Sequence, residues 1–273
     1  MIVKKVELNN FRNYKSLSLD LDKKTNILYG NNAQGKTNVL ESIYVCSTTK
    51  SHRTNRDSEL INLDSSEAHI KIYIEKKSRE HRIDIHLRKN KTKGIAIDGI
   101  PIKKASELFG LFNVVIFSPE DLDIIKKGPS ERRRFIDMEL CQLDKIYVYN
   151  LTNYNKIITQ RNRLLKDIYF KPELEQTLDV WDSQLAEYGS KIIQRREKFI
   201  SKINTIIKPI HKKITGGVED IEIVYNRNCS SEELYKLLEQ NRQRDIKYKS
   251  TSVGPHKDDI LFFNGNKNIR IYS

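Results

Sequence analysis

Eight consecutive residues, Gly30-Asn31-Asn32-Ala33-Gln34-Gly35-Lys36-Thr37, carry the most specific chemistry in this sequence. They satisfy G-x-x-x-x-G-K-[ST] in full, a pattern that cradles the phosphates of a nucleotide. The two glycines let the backbone curl so that successive N–H groups point inward, at the positive end of a helix that starts there. Lys36 would set a fixed cation against the β and γ phosphates, and the Thr37 hydroxyl would supply one ligand of Mg²⁺. ATP and Mg²⁺ are therefore the expected cofactors, held by Gly30, Asn31, Asn32, Ala33, Gln34, Gly35, Lys36 and Thr37, with Thr37 as the metal ligand. The competing reading, a glycine turn beside an exposed lysine, lacks the flanking pattern found here. Asn26-Ile27-Leu28-Tyr29 reads as a short buried strand, and Val39, Leu40 and Ile43 recur at helical spacing from about Lys36 to Val45.

Binding phosphates is not hydrolysing them. A Walker B strand needs four apolar residues ending in an acid, and Val114-Val115-Ile116-Phe117 is the sole candidate run. It continues Ser118-Pro119-Glu120-Asp121, which brings the acids three and four residues too late. No catalytic residue is assigned on this ground. No Asn-Lys-x-Asp sequence is present, which argues against a Ras-type GTPase.

A second chemistry is cationic. Between Lys191 and Lys213 stand Lys191, Arg195, Arg196, Lys198, Lys202, Lys208, Lys212 and Lys213 against a single acid, Glu197. A solvated helix face usually mixes signs for i,i+4 pairs, so phosphate contact is the better reading, with Lys191, Arg195, Arg196, Lys198, Lys202, Lys212 and Lys213 as DNA contacts. Such contacts would be independent of base sequence. Lys126, Lys127, Arg132, Arg133 and Arg134 form another basic block, beside Gly128-Pro129. It reads either as a DNA or protein interface or as an ion-pair hub, because three successive helical side chains cannot face one way. His256 has no evident catalytic partner and reads as structural.

The elements that must hold these groups follow from periodicity. Residues 3–8 and 17–21 alternate as half-buried strands. From Ala68 to Ile102 the period of two returns, with Asp98-Gly99 as a hairpin turn, giving an antiparallel meander. From Ser130 to Lys213 two apolar stripes appear at helical spacing, Leu143, Tyr147, Leu151, Tyr154 and Ile158, then Trp181, Leu185, Tyr188, Ile192, Phe199, Ile203 and Ile206. They read as two helices packed together, within a helical lobe of about 120–250 inserted into an α/β domain whose later strands begin near Ile260.

Composition fits this picture. The 273 residues hold 49 Lys and Arg against 36 Asp and Glu, a net charge of +13, which favours a polyanionic partner. No apolar run reaches the ~18 residues of a membrane helix and no secretory signal opens the chain, so the expectation is a cytoplasmic protein without membrane contact. Cys46, Cys141 and Cys229 are widely spaced, which suggests neither a disulfide framework nor a zinc site.

Several blocks together resemble the bacterial RecF recombination proteins, relatives of SMC-type ATPase heads. Asn10-Phe11-Arg12-Asn13-Tyr14 is similar to that family's first strand exit, and Gly30 to Thr37 with Asn38-Val39-Leu40-Glu41 is similar to its G-x-N-x-x-GKTN-x-LE loop. Ser51-His52-Arg53 resembles its next polar segment. Phe117-Ser118-Pro119-Glu120-Asp121-Leu122, running on through Gly128-Pro129 to Arg132-Arg133-Arg134-Phe135-Ile136-Asp137, resembles its most specific block, and Gly254-Pro255-His256-Lys257-Asp258-Asp259 resembles its GPHRDD block with Lys257 in the usual Arg position.

The resemblance implies an α/β P-loop ABC-type ATPase head (lobe I) with an antiparallel β subdomain and an inserted helical lobe II. On that basis 1–118 would be the ATP-binding lobe I, 119–250 the helical lobe II and 251–273 a return to lobe I. It implies that Arg12 and Asn13 contact nucleotide phosphates. It also implies DNA as a partner, together with RecR and RecO, an ATP-dependent homodimer, and a role in SOS-linked repair and replication restart, loading RecA at single-stranded gaps. The family's S-x-G-Q-Q signature and Walker B acid would follow Ser273, so a C-terminally truncated member is expected, with doubtful hydrolysis. The alternative is a remnant that binds DNA or a partner protein without turning over ATP.

Overall fold

The computed structural model describes Met1–Tyr272; Ser273 lies outside the described residues. The chain divides into two compact units, Met1–Ser118 and Pro119–Ser273.

The first unit is built on alternation. Strands β1 (Ile2–Phe11), β2 (Tyr14–Asp20), β3 (Glu67–Lys76), β4 (Arg79–Arg88), β5 (Gly94–Ile97) and β6 (Ile100–Pro101) form one antiparallel sheet in the order β2-β1-β3-β4-β5-β6. The inward side chains Val6, Leu8, Ile70, Ile72, Ile74, Ile83, Ile85 and Leu87 are buried, and helix α1 (Lys36–Thr48) closes the core over them with Val45 and Cys46. The expected Asp98-Gly99 turn is present, both residues having positive φ. The β3–β4 turn uses the same left-handed geometry at Lys77 and Ser78, which no glycine announces.

One expectation fails in this unit. Asn26–Tyr29 is not a strand: Asp22 accepts from the Lys24 amide through its side chain, and the Asn26 amide group bonds both backbone groups of Asp22, so the segment begins as a side-chain-closed turn. Ile27 and Tyr29 are 79% and 91% exposed rather than buried. The Val114–Phe117 run also forms no strand, and Val115 and Phe117 are exposed.

The second unit is a helical hairpin with a small sheet. Helices α2 (Asp123–Lys126), α3 (Pro129–Leu143), α4 (Lys145–Ile168) and α5 (Leu178–Ile214) are followed by β7 (Ile221–Asn226), α6 (Leu234–Gln240), α7 (Arg242–Tyr248), β8 (Asp259–Asn264), β9 (Lys267–Asn268) and α8 (Ile269–Tyr272). Asp144 separates α3 from α4 by capping the amides of Ile146 and Tyr147, which leaves Leu143 exposed and outside the stripe assigned to it. Tyr147, Tyr154, Leu165, Leu178, Leu185 and Ile192 fill the contact between α4 and α5. At Gly189 a Cβ would lie 2.6 Å from Leu234, so only glycine lets α6 approach this closely.

Residues 251–273 were expected to return to the first lobe. They belong instead to the second unit, because β8 pairs antiparallel with β7 from Ile221↔Asn264 to Asn226↔Asp259. The signal missed was β7 itself, a short alternating run beside the long helices.

Candidate nucleotide-binding site

The glycine loop lies on the surface between the end of β2 and α1. Gly30 and Gly35 have φ of 141° and 99°, conformations that an L side chain resists, and Gly35 serves as the N-cap of α1. A Cβ on Gly35 would fall 2.6 Å from Asn13 Oδ1 and 2.8 Å from the Tyr14 hydroxyl. The loop can therefore pass beneath these residues only as bare backbone. The first turn of α1 holds no acidic residue, so no side-chain charge there opposes the positive end of the helix dipole, while the Asn38 amide bonds the Gly35 carbonyl at 2.7 Å.

Lys36 points back over the loop and donates to the carbonyls of Gly30 at 2.9 Å and Asn31 at 2.7 Å. An ammonium has three donors, so one is left for a phosphate oxygen once the loop is closed around it. Thr37 is exposed beside it. Bare backbone at Gly35, the positive end of α1, a tethered ammonium and an accessible hydroxyl together fit a Mg²⁺-nucleotide.

Behind the loop, blocks widely separated in sequence meet at Glu41. Its fully buried carboxylate accepts from Arg12 through Nε at 2.9 Å and Nη2 at 2.6 Å, from Ser51 Oγ at 2.5 Å and from Arg53 at 3.4 Å. Burial pushes the Glu41 carboxyl up, but the hydrogen bonds of Arg12 and Ser51 and the charges of Arg12 and Arg53 outweigh it and hold it below the usual range. Arg12 also donates to the Glu59 carbonyl. Arg12 is thus oriented at the loop by Glu41 and Glu59, bonds that use three of the five N–H donors of its guanidinium. Asn13 lies at the loop, accepting from Asn38 at 2.8 Å and packing on Gly35.

The basic helix divides into two faces. Successive residues turn about 100°, so Lys191, Arg195, Lys198 and Lys202 share one side, with Lys212 and Lys213 within about 60° of it. Lys191, Lys198, Lys202, Lys212 and Lys213 are exposed. Lys191 pairs with Glu187, and half-exposed Arg195 pairs with Asp144. Arg196 lies about 140° round the helix from Lys191, on the buried side. It is 2% exposed and holds Asp137 at 2.8 Å, Asp258 at 3.1 Å and the Pro255 carbonyl at 2.7 Å. Its assignment as a DNA contact is overturned by this burial. The sequence held the warning: Ile192 and Ile200 flank it at i−4 and i+4.

The same network absorbs the two most specific motifs. Arg132, 2% exposed, forks onto Asp259 at 2.6 and 3.0 Å, and Arg133 donates to the Asp258 carbonyl. Arg134 lies 4.0 Å from Glu131. Arg132 and Arg133 are therefore joined to the Asp258-Asp259 pair, the structural side of the two readings, while Arg134 pairs with Glu131 instead. His256 accepts from the Tyr154 hydroxyl and donates to the Thr251 carbonyl; burial holds its pKa down to about 4, so it is neutral at pH 7.

An antiparallel sheet closed by a helix that opens on a nucleotide loop, joined in sequence to a long helical hairpin, defines a P-loop ATPase head of the SMC type. The family description RecF/RecN/SMC N terminal domain matches residues 2–123. The whole chain belongs to the RecF family. It is 58% identical over 274 residues to the DNA replication and repair protein RecF of Lachnospira eligens, covering 100% of this chain and 76% of that protein. It is 56% identical over 272 residues to the RecF of Lachnoclostridium phytofermentans, with the same shares covered. A solved structure of the recombination mediator protein RecF with ATP, in the RecFOR pathway, matches with a TM-score of 0.95 at 35% identity, covering 100% of this chain and 75% of that one.

Proposed function

We propose that this chain is an ATP- and DNA-binding protein of recombinational repair and replication restart, acting where RecA is loaded on single-stranded gaps. The observation that carries the reading is the loop from Gly30 to Thr37, whose lysine, glycines and helix end fit a triphosphate within a chain of the RecF family. Mg²⁺ would be held by Thr37 together with the phosphates. Contact with RecR and RecO, and pairing of two copies around ATP, follow from family membership as further parts of the proposal.

The DNA contacts reduce to the exposed face of α5, namely Lys191, Lys198, Lys202, Lys212 and Lys213, with Arg195 at its margin. Each phosphate neutralised there releases condensed counterion, so log K should fall with log salt by roughly 0.9 per contact on duplex DNA. Titrating labelled single- and double-stranded DNA at increasing salt tests this. Replacing Lys198, Lys202, Lys212 and Lys213 with Gln should flatten the slope by up to about four contacts; an unchanged slope would remove α5 from the DNA surface. Since 1–273 holds no apolar run that ends in the required acids, phosphate release should stay near background, and turnover sensitive to Lys36→Ala would contradict that.

A further inference from the structure

On the outer face of the sheet, away from every group used above, Glu67, His69 and His86 bring one carboxylate and two imidazoles together. Glu67 and His69 share a face of β3 by the period of two, and His86 stands directly across from His69 on β4. The two rings stack with centroids 4.0 Å apart and planes 19° from parallel. The Glu67 carboxylate bridges them, 2.8 Å from His86 Nε2 and 3.8 Å from His69 Nε2. The three ligand atoms lie within 4.8 Å of one another. A tetrahedral Zn²⁺ with bonds of about 2.0–2.1 Å separates its ligand atoms by ~3.3 Å, which small rotations of the rings would reach.

We propose that Glu67, His69 and His86 form a binding site for a divalent transition-metal ion of the Zn²⁺ class, clamping β3 to β4 and leaving one coordination position open. The donor set selects the metal. Imidazole with one carboxylate suits Zn²⁺, Ni²⁺ or Cu²⁺, whereas Mg²⁺ prefers an all-oxygen, water-rich octahedron, so this site is distinct from the one that would accompany ATP. Room for the fourth ligand is present: His69 and His86 line a cleft of about 240 Å³ whose other walls include Gly94, Pro101 and Ile102.

The surroundings are compatible with a bound cation. On the same face Lys71 stands across from Asp84, and Arg88 across from Glu67. Asp84 is held by Arg82 at 2.8 Å. The three cysteines, the usual competitors for Zn²⁺, are buried.

The test is calorimetric titration of chelator-treated protein with Zn²⁺ at pH 7.5, with Co²⁺ absorption as an independent reading of geometry. One ion per chain is expected, with the visible bands of tetrahedral Co²⁺. His69→Ala and His86→Ala should each weaken binding by about 10- to 100-fold or more, and Glu67→Gln by less. These outward positions leave the core untouched, and unchanged circular dichroism would verify it. His81→Ala, which alters a histidine paired with Asp98 rather than this cluster, should leave Zn²⁺ affinity unchanged. Absence of binding at millimolar Zn²⁺, or equal binding by wild type and both histidine variants, would overturn the site.

Discussion

The loop around Gly35 and the hub around Arg196 both gather charge, and they do so in opposite environments. Around Gly35 the chain exposes the loop from Gly30 to Gln34 beside one tethered ammonium, with no acid in the first turn of α1, so positive potential is left unspent at the surface. At Arg196 every charge is answered from within: Asp137, Asp258 and the Pro255 carbonyl surround a guanidinium that water hardly reaches. Unanswered charge is available for a ligand, and answered charge holds the fold. Arg12 follows the second pattern although it stands next to the first, because Glu41 takes its fork.

This contrast can be tested by substitution, beginning where the effect should be largest. Arg196→Ala leaves buried Asp258 and half-buried Asp137 without their cation, and breaking such a buried pair costs about 3–5 kcal/mol, read as a lower urea midpoint. Retention of wild-type stability would mean that the hub is ornamental.

Next comes His256, whose folded pKa is depressed to about 4 from an ordinary 6.5. The unfolded chain therefore binds a proton that the folded chain refuses across that window. Stability should be full above pH 6.5 and fall as pH is lowered, with His256 contributing a loss of about 2 kcal/mol between pH 7 and pH 5. His256→Gln should remove that part of the slope, as urea unfolding at the two pH values would show. An identical slope in the variant would place the titration elsewhere.

Smaller still is Gly35→Ala. A residue with Cβ at φ 99° costs about 1–2 kcal/mol, and the Cβ must displace Asn13 and Tyr14. The modest loss in thermal midpoint should come with a disproportionate loss of nucleotide binding. The least effect belongs to Lys198, Lys202, Lys212 and Lys213 on the open face of α5, where Gln in all four places should change stability by no more than about 0.5 kcal/mol at each site. A marked destabilisation there would show that this face, too, is answered from within.

The sequence was legible where local rules suffice. The glycine loop, the helix it opens, the 68–102 meander and the two long helices depend on spacing and turn chemistry alone, and each is found where those rules put it. It was misread where a segment's fate depends on distant partners. Ile27 and Tyr29 look like a buried strand only if a neighbouring strand covers them, and no periodicity reports that. Arg132 and Asp259 are 127 residues apart, and nothing in either block names the other. Glu41, the hub behind the loop, was read as part of a motif and not as the residue that gathers Arg12, Ser51 and Arg53. Arg196 is the instructive case, because its helical phase beside Ile192 and Ile200 was available in the sequence and was masked by counting charges without placing them on faces.

The central claim, that the loop binds nucleotide independently of the buried hub, is tested most directly by titrating Mg²⁺-ATP into wild type and Lys36→Ala by calorimetry, with thermal unfolding measured on the same samples. Lys36 bonds the loop carbonyls of Gly30 and Asn31, so the variant should keep the wild-type unfolding midpoint and lose measurable ATP binding. Equal affinity for Mg²⁺-ATP in the two proteins would contradict the account.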